Sequence, residues 1–194
     1  REVLAKLQER ANHQYKLSFE SDSTATYPLF GKTLHLNKPS GTVEISGNTI
    51  FLSDFTTEAL GGQVEANVSL TDIHRDTGYD VQLNVKDVDF RQLAETYSSF
   101  HDTGGSMTGS AHFKGKGDGV KELSGSGNVQ IVDGNVFSIP CFGPLSKQVE
   151  SRLPKIHSGF SVAREANLAF AVDRGKLETE KFEAKTNAFQ LKGT

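Results

Sequence analysis

The sequence predicts a mainly β protein, an antiparallel meander with two or three short helices. Three observations predict it. Apolar and polar residues alternate with period two over most of the chain, most cleanly in "QVEANVSL" and "YDVQLNVK". Glycine-marked turns separate these runs, and 19 of the 194 residues are Gly. Hydrophobic residues make up 36% and charged residues 23%, so the chain can form a core like an ordinary folded protein.

The elements follow in order. "REVLAKLQERAN" places Val3, Leu4, Leu7 and Ala11 at helical spacing among good helix formers, so residues 1–12 are expected to be a short helix. From Gln14 the period becomes two, with Tyr15, Leu17 and Phe19 on one face. "TLHL" and "TVEIS" are strands, and Gly47-Asn48 turns the chain into "TIFLS". Next, Val64, Ala66, Val68 and Leu70 share a face opposite Gln63, Glu65, Asn67 and Ser69. Tyr79, Val81, Leu83 and Val85 do the same against Asp80, Gln82, Asn84 and Lys86. The short connection from Thr71 to Gly78 has no room for a crossover helix, so these two strands are expected to pair antiparallel.

Phe90, Leu93, Ala94 and Tyr97 then lie at i, i+3, i+4 and i+7, a helix over residues 90–97 with Asp89 as its N-cap. Strands resume at "SMTGSAHFKGKG". In "GNVQIVDGNVFSI" two apolar runs flank Asp133-Gly134, which predicts a hairpin turning there. A further helix is expected over Phe142–Leu153, with Pro144 in its first turn and Pro154 ending it. "HSGFSVA" and the run from Ala166 onward return to strands. A loose repeat, with Gly47 and Phe55 matched by Gly175 and Phe182, fits a meander that grows by adding hairpins. The whole of 1–194 is expected to form one β domain. It begins at Arg1 without Met, and is expected to be a segment of a longer chain whose membrane anchor lies outside it.

Charge and motif content argue against several function classes. The net charge is −3 with both signs mixed, so no basic block points to nucleic acid. The single cysteine, Cys141, permits no internal disulfide and is read as a small apolar residue. His13, His35, His74, His101, His112 and His157 form no HxH or HxxxH pair, so no metal is expected. "TDIHRD" and "FHDTGG" place His near Asp, but neighbours in a loop do not make a triad and no G-x-S-x-G elbow exists. "GKGDG" lacks phosphate-loop spacing and is read as a hairpin loop. An enzyme is not expected, and neither is a cofactor.

A family resemblance rests on an ordered set of segments: "YDVQLNVKDVDFRQLAETY", "GSMTGSAHFKGKG", "LSGSGNVQIVDGNVFSIPCFGPLSKQV" and "FSVAREANLAFAVDRGKLETEKFEAKTNAFQLKGT". Together they resemble the C-terminal region of AsmA-like proteins of Gram-negative envelopes, the group that includes TamB and YhdP. The resemblance runs from about Thr42 to the end and is densest from Tyr79. It implies a curved, open β-groove with an apolar interior that handles phospholipid between bacterial membranes. It further implies a periplasmic segment anchored to the inner membrane through a region outside it. Its partners would be phospholipid acyl chains. The groove candidates are Val64, Ala66, Val68, Tyr79, Val81, Leu83, Val85, Val129, Ile131, Leu168 and Phe170. A structural or adhesive β module of a cell surface or pilus-like assembly is the alternative. It would bury the same faces in a closed sandwich or against a partner.

Overall fold

The computed structural model describes residues 3–10, 14–29, 31–73, 76–97, 104–117, 119–135, 163–186 and 190–193. The described strands are β1 (Val3–Arg10), β2 (Gln14–Ser21), β3 (Ala25–Leu29), β4 (Lys32–Ser46), β5 (Thr49–Ala59), β6 (Gly62–Thr71), β7 (Gly78–Asp89), β8 (Ser106–Lys116), β9 (Ser124–Gly134), β10 (Ala163–Asp173), β11 (Lys176–Lys185) and β12 (Gln190–Gly193). All belong to one open antiparallel sheet, in the order β1-β2-β4-β5-β6-β7-β8-β9-β10-β11-β12. β3 lies off this path and pairs with Lys32–Leu36 of β4, whereas β2 pairs with Ser40–Ser46 of the same strand. Eleven strands side by side make the sheet roughly 48 Å wide at ~4.8 Å per strand.

The turns follow local chemistry. Leu60-Gly61 and Arg174-Gly175 have positive φ at both residues (51° and 77°, 49° and 74°), the backbone that a two-residue hairpin needs to match strand twist. Within the strands, register shifts mark bulges on β4, β5, β7 and along the β10–β11 pair. Lys38, Asp54 and Asp87 sit at three of them with φ near 50°. The Asp54 N–H donates to Asn67 Oδ1 at 3.0 Å, and the Asp87 N–H donates to Thr108 Oγ1 at 3.2 Å. At these two bulges a ladder N–H is released, and a side chain on the next strand satisfies it.

Among the described residues there is one α-helix, α1 (Phe90–Tyr97), and a 3-10 turn at Val120–Glu122. The α1 boundaries are those the periodicity predicts. Asp89 caps it: Oδ1 accepts from the backbone N–H groups of Arg91 (2.9 Å) and Gln92 (3.2 Å). The Asp89 and Phe90 N–H groups donate to the carbonyls of Leu60 and Gly105. Phe90 and Val88 are buried, so the helix is tied to the end of the sheet.

Two expectations are corrected. The helix expected near the start is not found: Val3–Arg10 is the strand β1, in register with Gln14–Ser21 of β2. A helix of about ten residues is marginal without a packing partner, and "VLAKLQER" also alternates, with Val3, Ala5 and Leu7 at one set of positions. Strand pairing gives the β2 edge its hydrogen bonds. Nor does the chain turn back at Asp133-Gly134. β9 runs on to Gly134, which pairs with Ala163. Both edges of β9 are occupied, by β8 and β10, so no position beside it is left for a returning strand. The expected helix at Phe142–Leu153, Cys141 and most of "HSGFSVA" lie outside the described residues.

Candidate functional site: the apolar face of the sheet

The register gathers the apolar positions on one face. Val64, Ala66 and Val68 of β6 stand opposite Val85, Leu83 and Val81 of β7, and Tyr79 opposes Leu70. Across β8, the row through Val85 continues to Gly109, then Val129 of β9 and Leu168 of β10. The row through Leu83 continues to Ala111, Gly127 and Phe170. Ile131 stands between Met107 and Ala166. All eleven sequence candidates therefore share one face. A third row shows its extent: Leu17, Val43, Leu52, Val68, Val81, Phe113, Gly125, Val172 and Leu177 are consecutive partners from β2 to β11 with no polar residue among them.

Each of the eleven candidates is half-buried, while Gln63, Glu65, Asn67, Gln82, Asn84, Asn128 and Gln130 on the other face are exposed. All twelve strands belong to one sheet, so among the described residues no second sheet covers the apolar face. Full burial is confined to the ends. Ala163, Ala166, Phe182 and Ala184 form a closed cluster, with Ile131, Leu168 and Leu191 packed against it. Val88 and Phe90 are closed off at the α1 end.

Rings and glycines are matched on this face. Phe19 opposes Gly41, Tyr79 opposes Gly115, Phe113 opposes Gly125 and Phe170 opposes Gly127. At Gly115, Gly125 and Gly127 the ring occupies the space a Cβ would need, and at Gly41 it is a tight neighbour. A Cβ at Gly127 would lie 2.6 Å from Phe170 Cζ, and one at Gly125 2.8 Å from Phe113 Cδ1. A Cβ at Gly41 would lie 3.3 Å from Phe19 Cζ, and one at Gly115 would collide with the Tyr79 ring. Rings laid over glycines support the backbone they cover and lower the relief of the face. Phe113 and Phe170 stack at 6.3 Å between centroids, within the range of favourable ring pairs.

The opposite face is a polar lattice of cross-strand pairs. Lys16 Nζ meets Glu44 at 2.6 Å, Ser40 pairs with Thr56 at 2.8 Å, and Asn128 donates to Ser110 at 3.1 Å. Asp80 accepts from His112 Nε2 at 2.7 Å and pairs with Lys114 at 3.1 Å. The His112 hydrogen bond, then that of Lys114, hold the Asp80 carboxyl below its usual range. Ser126 is the Cα partner of His112, but the three side chains stand in the open on a strand face. Their arrangement is that of a surface ion pair, not a triad. No sequence spacing reveals Asp80–His112, because 32 residues separate the partners and only register joins them. A recess of about 570 Å³ also lies on this polar face, lined by Gln63, Glu65, Asn84, Lys86, Thr108, Ser110, Asn128, Gln130 and Asn167. Among the described residues, no group of His, Cys, Asp and Glu could hold a metal ion. His13, His74, His101 and His157 lie outside those residues.

No family model, curated protein or solved structure matches this chain.

Proposed function

We propose that the apolar face is a wall for phospholipid acyl chains. In this reading the chain is a non-enzymatic segment of an AsmA-like envelope protein that handles lipid between bacterial membranes. One observation carries the reading: an uninterrupted apolar row from β2 to β11, with the eleven half-buried candidates in and beside it and, among the described residues, no second sheet over it. An apolar face of this extent needs something to cover it. The bulges support a groove, because each bends its strand and adds local twist. The ring-on-glycine pairs suit a ligand that slides rather than interlocks. A periplasmic location with an inner-membrane anchor outside the segment belongs to the same proposal.

The test is mass spectrometry of an organic extract of the purified chain. Co-purifying phospholipid in near-stoichiometric amount is expected. A lipid-free extract from folded, monodisperse protein would favour the structural or adhesive β module, in which a protein partner covers the face.

A further inference from the structure

We propose that the ribbon formed by β3 and the first part of β4 is a membrane-docking element that seats its apolar side in an anionic lipid surface. The β4–β5 pairing stops at Asn37 opposite Glu58. Residues Lys32–Leu36 instead pair with β3, off the sheet path, and the ribbon runs on about 15 Å at ~3.3 Å per residue. Ala25 opposes Leu36 and Tyr27 opposes Leu34, so these four residues share one side. The bulge at Lys38 keeps that side continuous with Gly41, Val43 and Ile45 of the apolar face. A two-stranded ribbon has no layer to bury such a side. Tyr27 is 54% exposed, and Pro28 is exposed beside it.

Charge and backbone chemistry choose the partner. Ser23 to Val43 is the longest stretch of the chain without Asp or Glu, and it carries Lys32 and Lys38 in a chain of net charge −3. Lys38 is engaged with Glu58 at 3.0 Å, which leaves Lys32 as the cation within the ribbon. An exposed tyrosine, half-buried leucines and a lysine in the longest acid-free stretch of the chain match the interface of a bilayer containing anionic lipid. A partner strand suits the site less well, because Pro28 offers no N–H to the outer edge of β3. The inference stands apart from the proposed function, since docking requires no lipid on the sheet face.

The experiment is co-sedimentation of the whole chain with vesicles. One set contains phosphatidylcholine and phosphatidylglycerol, the other phosphatidylcholine alone. Binding to the mixed vesicles is expected, weakening with added salt. The double variant Tyr27→Ser with Leu29→Ser should bind at least about tenfold more weakly, a factor worth roughly one lost side-chain insertion. Lys32→Glu should lose preference for the anionic vesicles. Val132→Ser removes a valine that is 40% exposed on the polar face of β9, and should bind as the parent does. Asn84→Asp, on the exposed polar face, should also sediment as the parent does. Circular dichroism must match the parent for every variant scored. The proposal is overturned if the parent does not sediment, or if the double variant sediments unchanged. It also fails if Val132→Ser or Asn84→Asp loses as much as the double variant does. Self-association that is lost in the double variant, without vesicle binding, would assign the ribbon to a protein partner instead.

Discussion

The ring of Phe170 lies across Gly127 on the neighbouring strand, so a Cβ at residue 127 would sit 2.6 Å from its Cζ and 2.7 Å from the Ser110 carbonyl oxygen. The glycine is required by the neighbour above it rather than by a turn. Its φ is not in the left-handed region, in contrast to the hairpin glycines Gly61 and Gly175.

Gly127→Ala should therefore cost about 1–3 kcal/mol, since ring and backbone must both yield. Gly193→Ala is the control, because a Cβ there meets nothing within 4 Å. It should change stability by less than ~0.5 kcal/mol, as an ordinary surface substitution does. Urea denaturation of both variants measures the difference. Equal effects would show that the ring does not rest on the glycine.

Asp87 holds a left-handed backbone at φ 55°, and its N–H donates to Thr108 Oγ1. Asp87→Gly should be tolerated, because glycine adopts this conformation freely. Asp87→Val should cost about 1–2 kcal/mol, the penalty of forcing a β-branched side chain into that region, which Asp tolerates better. Thermal unfolding of the two variants would show the order, and a more stable Val variant would contradict the bulge.

Asp89→Ala should lose about 1 kcal/mol, the usual worth of an N-cap. The loss should be local. Amide exchange should quicken at Arg91 and Gln92, whose N–H groups Asp89 accepts, and stay slow in β6.

The Asp80 carboxyl is held below its usual range, first by His112 and then by Lys114. A depressed carboxylate stabilises the fold above the unfolded carboxylate's pKa of about 4, and that contribution is lost as pH falls through the folded pKa. The stability gap between the parent and Asp80→Asn should be present at neutral pH and close in acid. His112→Ala should raise the Asp80 pKa, as read by carboxyl NMR titration. Both groups stand partly in solvent, so the gap will be small.

What the sequence made legible was local. The stripe Phe90, Leu93, Ala94, Tyr97 and its Asp89 cap needed eleven residues of context, and both are found. The pairing of β6 with β7 followed from their short connection. β1 was misjudged because "VLAKLQER" satisfies both periods, and the deciding factor was the β2 edge beside it. Asp133-Gly134 has turn chemistry, yet β9 runs to Gly134 without folding back on itself, because β8 and β10 already pair with the strand leading into it. The eleven candidates could be assigned to one face by alternation. Their alignment into rows, the ring-on-glycine pairs and the Asp80–His112 contact all depend on register summed over several strands. No window of sequence contains that sum.

The apolar face yields the sharpest test of the proposed function. Leu83 lies mid-face between Ala66 and Ala111 and is half-buried, while Asn84 beside it points to the exposed face. If lipid covers the face, a charge at residue 83 stays wet in the lipid-free protein and costs far less than a charge buried in a closed core without a partner. Leu83→Asp should then fold with the parent's circular dichroism and melt within a few degrees of it, yet carry little lipid. Asn84→Asp should keep its lipid. The measurement is phospholipid per mole of folded protein in the two variants. Outright unfolding of Leu83→Asp would mean the face is closed by protein, which favours the β module. A folded Leu83→Asp that holds as much lipid as Asn84→Asp would place any lipid site off this face.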